Sequence, residues 1–284
     1  MGLKYTAEEV DKWRERTHVR SSRLGVTTKR RALSFVNRVG FCLVFGADED
    51  DLPSLWRAVR GPGGLVDGGS RGHSESSTLL WELKHVLPSE RSVYYGKLLL
   101  HRPTMLSLEM LPYFYALSGR TGERDEYIRA AARNELSGMG RRIMDAFGRR
   151  SHLSTRQLKH LVQRNGTVSS AAFAQAMTEL QSKMFLAKGD EERRPFSFTW
   201  SPVRVLFSPQ VRKARHISAA VARKVILEQH FRNQLVGTVV GIRHVFRWSR
   251  QDLFQALGDL LRRGVISNEA KAEGVSGRVY VYLG

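Results

Sequence analysis

Cysteine is nearly absent: Cys42 stands alone in 284 residues. A disulfide framework and a cysteine-rich zinc site are both excluded, and the cytosol is the natural compartment. A free, buried thiol is the plain reading of Cys42. No apolar run approaches the ~20 residues that a membrane span needs. Residues 1–20 carry charge on nearly every turn and have no apolar centre, which argues against a signal peptide. Acids are scarce beside bases, 27 Asp and Glu against 46 Lys and Arg, for a formal net charge of +19. That imbalance in a globular chain points to a polyanionic partner. Nucleic acid is favoured over a membrane surface, because no strongly hydrophobic amphipathic helix or lipidation signal is present.

Catalytic signatures are also missing. The nine histidines show no His-Glu-x-x-His or related spacing, so no metal and no cofactor is expected. There is no Gly-x-Ser-x-Gly elbow. The stretch Gly61–Ser77 is rich in Gly and Ser, but it lacks the Gly-Lys-Ser/Thr ending of a phosphate loop and reads as a mobile loop. One acidic cluster, Ala47–Asp51, follows a buried apolar run. Asp48 and Asp51 are its candidates to activate water or steady a developing cation on a sugar. An exposed acidic turn is the plain alternative.

What is present is an ordered series of helices and short strands. Thr6 and Glu9 fit a capping box for a first helix carrying Val10, Trp13 and Thr17. Residues 1–26 form a basic N-terminal segment, either an arm on a phosphate backbone or a helix packed on the next domain. Thr28 caps a helix with Ala32, Phe35, Val36 and Val39 inward, which Gly40 ends. Phe41–Phe45 reads as a buried strand or connection and Leu52–Arg60 as a short helix. Leu79–Arg102, with Tyr94, Tyr95 and Lys97, has helical periodicity, as does Leu106–Leu117.

From Asp125 onward the order is helix, helix, helix, strand, charged loop, strand. Ser169–Trp200 holds the last four: a capped helix, Phe185–Ala187 as strand, Gly189–Pro195 as polar turn, and Phe196, Phe198 and Trp200 alternating in a second strand. That is how a winged helix ends. The order recurs over Val221–Leu283. Phe173 and Leu253, Met177 and Leu257, Leu180 and Leu260, and Leu186 and Ile266 each lie 80 residues apart, which marks an internal repeat. Residues 125–203 and 217–284 are therefore read as two winged helices joined by a basic linker, Pro202–His216. The fold class is mainly α with small β-hairpin wings, in tandem winged-helix units.

Such units meet DNA through the third helix and the wing. The helix candidates are Ser169, Ser170 and Gln175 in the first copy, and Arg247, Arg250 and Gln251 in the second; Gln and Arg pair with base edges. Arg193, Arg194, Lys271 and Arg278 are the wing candidates for phosphate, and Arg212, Lys213 and Arg215 could bridge phosphates from the linker.

The order of motifs resembles the AlkZ/YcaQ family of winged-helix DNA glycosylases, and within it the divergent AlkZ-related branch. The Thr-Thr-led helix running into RVGFCLVF carries the resemblance, with LPSLWRAVRG, LPSERSVYYGKLLLHRPTMLSLEMLPYFYALS and the two winged helices. It implies three tandem winged-helix units around a positively charged concavity, and so a third, degenerate unit within residues 27–118. It implies recognition or excision of alkylated bases, with double-stranded DNA, alkylated or distorted, as partner to a monomer in the cytoplasm or on the nucleoid. Active members position water with a Gln-x-Gln or Gln-x-Asp motif; Cys42 and Val44 occupy those positions here. Lys97 stands where they have histidine and is read as a phosphate ligand. Two functions follow: a glycosylase-like enzyme with a remodelled centre, or a non-catalytic DNA-binding regulator or damage-recognition factor.

Overall fold

The computed structural model describes residues 4–19, 25–46, 52–61, 75–163, 168–275 and 277–284. A short strand β1 (Lys4–Tyr5) and helix α1 (Ala7–Thr17) come first. The first unit follows: α2 (Lys29–Val39), β2 (Phe41–Leu43), α3 (Leu55–Arg60), α4 (Glu75–Ser89), β3 (Val93–Lys97) and β4 (Pro103–Ser107). Helices α5 (Leu111–Ala116) and α6 (Glu126–Ala132) lead to the second: α7 (Gly138–Phe147), β5 (Leu153–Ser154), α8 (Thr155–Gln163), α9 (Ser170–Ser182), β6 (Leu186–Arg193) and β7 (Phe196–Pro202). Helices α10 (Val203–Leu206) and α11 (Ser208–Ala214) join it to the third: α12 (Ala219–Gln234), β8 (Val236–Thr238), α13 (Val239–Phe246), α14 (Arg250–Arg262), β9 (Ile266–Ser267), β10 (Lys271–Ala272) and β11 (Val279–Tyr282).

The three units share one topology. Each has a three-stranded antiparallel sheet with its last strand in the middle, in the orders β2-β4-β3, β5-β7-β6 and β8-β11-β9. Each runs helix, strand, helix, helix, strand and closing strand. The 80-residue spacing is a core spacing: all eight paired side chains are buried. Capping sets the helix starts. Thr28, Ser54, Ser137, Ser169, Ser218, Thr238 and Ser249 each accept the backbone N–H three residues on, which satisfies one donor that the first turn leaves orphaned. Thr6 and Glu9 form the capping box in full.

Each unit has its own apolar cluster, and a fourth is shared by all three. Phe41, Tyr94 and Leu106 of the first unit, Met184 and Ala187 of the second and Ile226 and Val245 of the third meet there around α5, α10 and α11. A fully buried Phe or Leu stabilises by roughly 1.5–3 kcal/mol, so this shared cluster fixes the units against one another. Polar contacts add to it. The Asn233 Nδ2 donates to the Val39 carbonyl at 2.8 Å and the Gln229 Nε2 to that of Arg38 at 3.2 Å. These are two of the carbonyls that the end of α2 leaves unpaired. The close approach requires glycine at position 40: its φ is +75°, and a Cβ there would lie 2.8 Å from Met110 Cγ and 3.1 Å from Gln229 Cγ.

Four expectations change. The helical reading of Leu79–Arg102 holds only to Ser89; the chain turns at Arg91 (φ 56°) and Val93–Lys97 is a strand. Leu106 is likewise in a strand, and Ser107 Oγ accepts from Met110 N ahead of α5. The basic linker is mostly helical, because Val203, Phe207, Val211 and Ala214 bury one face in the shared cluster. The polar turn Gly189–Pro195 is strand as far as Arg193 and packs along α4. The N-terminal segment is docked, on the third unit: β1 pairs in parallel with β10, and the Trp13 Nε1 donates to the Arg232 carbonyl at 3.0 Å. Of the Gly61–Ser77 loop, residues 62–74 lie outside the described residues. Among those described, no helix is long and apolar enough to cross a membrane.

Candidate nucleic-acid interface

The units meet at a cavity of about 540 Å³. Its wall includes the tip of the β3–β4 hairpin (Leu98–His101), Arg120, the end of α9 (Lys183–Phe185), and Phe246, Arg247 and Trp248 from the third unit. Leu100 and His101 turn the hairpin tip with φ of 53° and 55°, and Arg247 ends α13 with φ 56°. This left-handed geometry is uncommon for non-glycine residues. It brings the tip to the third unit, where the Arg247 Nη1 donates to His101 Nε2 at 2.9 Å. Burial, then the charges of Arg247 and Lys97, hold the His101 imidazole below its usual pKa, which favours the neutral ring that can accept from the guanidinium.

The cavity continues into a second hollow of about 760 Å³ along α9, with His101, Ser182 and Lys183 in common. Lys97, Ala174, Gln175 and Thr178 line that part. Lys97 donates its backbone N–H to Gln181 Oε1 at 3.2 Å and its Nζ to Thr178 Oγ1 at 3.3 Å. From α9 the hollow is faced by short side chains, Ala172, Ala174 and Thr178, beside the longer Gln175 and Glu179. Arg120 stacks its guanidinium 3.8 Å from the Phe185 ring centre and donates to the Lys183 carbonyl. The result is one groove with Arg247, His101, Arg120, Lys183 and Lys97 along it.

The groove also holds two carboxylates, Glu135 and Glu179. A hydrogen bond from Arg133 holds Glu135 below the usual carboxylate range. Burial pushes Glu179 up, but bonds from Lys183 and Ser137 outweigh it and leave that group lowered too. Both are poor proton acceptors at neutral pH. Among the described residues no three His, Cys, Asp or Glu side chains gather to hold a metal.

Of the residues singled out from sequence, Lys97, Gln175 and Arg247 line this groove. Ser169 is engaged as the α9 cap, accepting from Ala172 N at 3.1 Å, and Ser170 starts the helix. Arg194, Arg212, Lys213, Arg215, Arg250, Gln251, Lys271 and Arg278 are exposed and lie outside the groove wall; the Arg215 Nε donates to the Thr121 carbonyl. Arg193 is in β6, its side chain outside the described set. Asp48 and Asp51 also lie outside the described residues. Cys42 and Val44 are fully buried in the first unit's own cluster, among Phe35, Leu83 and Val93. Strand alternation points Phe41 and Leu43 the other way, into the shared cluster with Phe114 and Val245. Burial pushes the Cys42 thiol up to about 12. His101, Arg120 and Lys183 were not anticipated. No local pattern marks them, because a hairpin tip of the first unit, the connection after α5 and the end of α9 bring them together only in the fold.

The profile of the AlkZ-related family, described as "AlkZ related", matches residues 26–234. The chain belongs to the AlkZ-related family. Among solved structures it is similar to the Streptomyces sahachiroi DNA glycosylase AlkZ, with a TM-score of 0.62 at 14% identity, covering 99% of this chain and 71% of that one. At that identity the likeness shows a shared fold. No curated protein matches the chain by sequence. The likeness to AlkZ spans all three of the three-stranded sheets.

Proposed function

We propose that the protein binds duplex DNA in this groove and recognises alkylated or distorted duplex. One observation carries the reading: cations from three separate units, Lys97, Lys183 and Arg247, lie along one continuous groove of a +19 protein. Contacts of this kind bind phosphate and position the duplex without reading its sequence. The solved AlkZ is a DNA glycosylase, which supports DNA as the partner of the shared scaffold.

Recognition without excision is the reading the chemistry favours. Water must be activated by a side chain that reaches it. Cys42 and Val44 are sealed in the core, and the groove's carboxylates are tied to cations. Excision, if present, would have to draw on Asp48 or Asp51, which follow β2 in sequence. Wing residues such as Arg194 and Arg278, and Arg212 and Lys213 on α11, then act as outlying phosphate contacts.

Two measurements on the full chain test this. Fluorescence anisotropy with a labelled duplex should give an affinity that falls steeply between ~50 and 200 mM salt. Incubation with duplex carrying N7- or N3-alkylpurines should yield no abasic product. A salt-insensitive affinity sinks the DNA reading, and base release abolished by Asp48→Asn or Asp51→Asn replaces recognition with excision.

A further inference from the structure

A separate pocket of about 280 Å³ lies between the first and second units. Four aromatic rings line it, Tyr95 from β3, Phe173 from α9, and Phe198 and Trp200 from β7. Its lining contains three lysines, Lys97, Lys159 and Lys188, and no acid. Lys188 is 1% exposed, with its Nζ 4.9 Å from the centre of the Phe198 ring and 5.2 Å from that of Tyr95. Its N–H groups are used on the far side, toward the Lys84 carbonyl and His85 Nδ1, each at 3.3 Å, and toward Glu191. The amides and hydroxyls of the lining are similarly engaged: Gln181 bonds Met177 O and Lys97 N, and Thr155 bonds Phe198 O and the Trp200 indole. What remains open to an occupant is aromatic surface, with exposed Lys159 at the edge and Lys97 on the side of the groove.

The two spaces are continuous, since Lys97, Ala174 and Thr178 line both the pocket and the α9 part of the groove. The pocket is smaller than the ~300–1,000 Å³ of ordinary ligand clefts, and a helix or peptide strand does not fit it. It suits one flat ring system whose attached backbone is anionic and stays at the lysines. We infer that it receives a single nucleobase swung out of the duplex held in the groove, stacked among Phe173, Phe198 and Tyr95 with its phosphates at Lys97 and Lys159. This rests on the DNA-binding reading above and deepens it. Among the aromatic rings the amide, the indole and the threonine hydroxyls are engaged, so an occupant is held by stacking more than by hydrogen bonds to its edge, and the pocket tolerates any base. Stacking is sequence-tolerant for the same reason at single-strand sites. Extrusion costs least where a base is already unpaired, so selectivity arises from the duplex: loosened positions are captured, and intact ones are not.

The test uses the full chain, a fully paired duplex and the same duplex with one bulged nucleotide, read by anisotropy competition. The native protein should prefer the bulged duplex by roughly tenfold, as expected from stacking one base. Phe198→Ala should bring the two affinities together. Lys159→Ala, an exposed change that leaves the fold intact, should cut the preference several-fold. Neither residue lines the groove, so affinity for paired duplex should stay within about twofold. Replacing the bulged nucleotide by 2-aminopurine should give a fluorescence change on binding that is lost in Phe198→Ala. Equal affinity of the native protein for both duplexes, or a preference that survives both substitutions, overturns the pocket while leaving duplex binding standing. Failure to bind either duplex overturns the DNA reading and the pocket with it.

Discussion

Arg247 and His101 meet at 2.9 Å across 146 residues of sequence, each at a left-handed backbone position. The contact joins the tip of the first unit's hairpin to the corner between α13 and α14, where the groove begins. An arginine there is fixed by the imidazole and still exposed. Arg247→Ala should weaken binding to paired duplex roughly fivefold to tenfold and make the salt slope shallower by about one. Anisotropy over a salt series reads both. An unchanged slope would remove Arg247 from the set of phosphate contacts.

Cys42 gives a chemical probe of the first unit. Its thiol is fully buried and pushed up to about 12, so little thiolate forms near neutral pH, and reagents reach it only through unfolding. Ellman's reagent should leave the native protein unlabelled and titrate one thiol per chain in denaturant. Rapid labelling of the native protein would contradict the burial of β2. Cys42→Gln should lower stability by about 3 kcal/mol or more, through overpacking and an unpaired amide. It should yield no base release.

The fold was legible where one face of one element carries the signal. The caps Thr6, Thr28 and Ser169, and the buried steps Phe173, Met177 and Leu180 with their counterparts 80 residues on, are local patterns. Tyr94 and Tyr95 were harder. A short run of aromatic and β-branched residues between two helical patterns can continue a helix or pair in a sheet, and partners on β4, far along the chain, decide it. The linker hid α10 and α11 for a similar reason: their apolar residues are sparse among charges and find partners only on the β6–β7 hairpin and α5. The groove was legible residue by residue in Lys97 and Arg247, but not as a groove. Lys188 was invisible, since nothing in its neighbourhood marks a lysine as buried.

Asn233 should be a sensitive point between the third and first units. Its Nδ2 donates to Val39 O at 2.8 Å, and its own carbonyl accepts from Thr17 Oγ1 at 2.9 Å, holding the N-terminal helix as well. Asn233→Ala leaves the buried Val39 carbonyl without that donor, which costs about 1–3 kcal/mol. Urea unfolding should show the midpoint fall by a matching amount. A change under about 0.5 kcal/mol would mean that the shared apolar cluster alone sets the arrangement of the two units.

His230 makes stability depend on acid. Its ring is fully enclosed, edge-on to Phe231 and Phe246, and its Nδ1 has no hydrogen-bond partner among the described residues. Burial, with the Arg14 charge nearby, lowers its pKa to about 3. Unfolded, it titrates near ~6.5. Above pH ~6.5 both states are neutral and the group contributes nothing to the pH dependence. As pH falls through that value the unfolded chain takes up a proton that the fold refuses, so stability is lost progressively, reaching about 4 kcal/mol near pH 3. His230→Phe removes this contribution while keeping an aromatic ring in the site. Urea unfolding of the two proteins at pH 7 and pH 4.5 should show the wild type losing about 2–3 kcal/mol more than the variant. Equal losses would mean that the His230 site opens to water and protonates without disturbing the packing of α12 against α1.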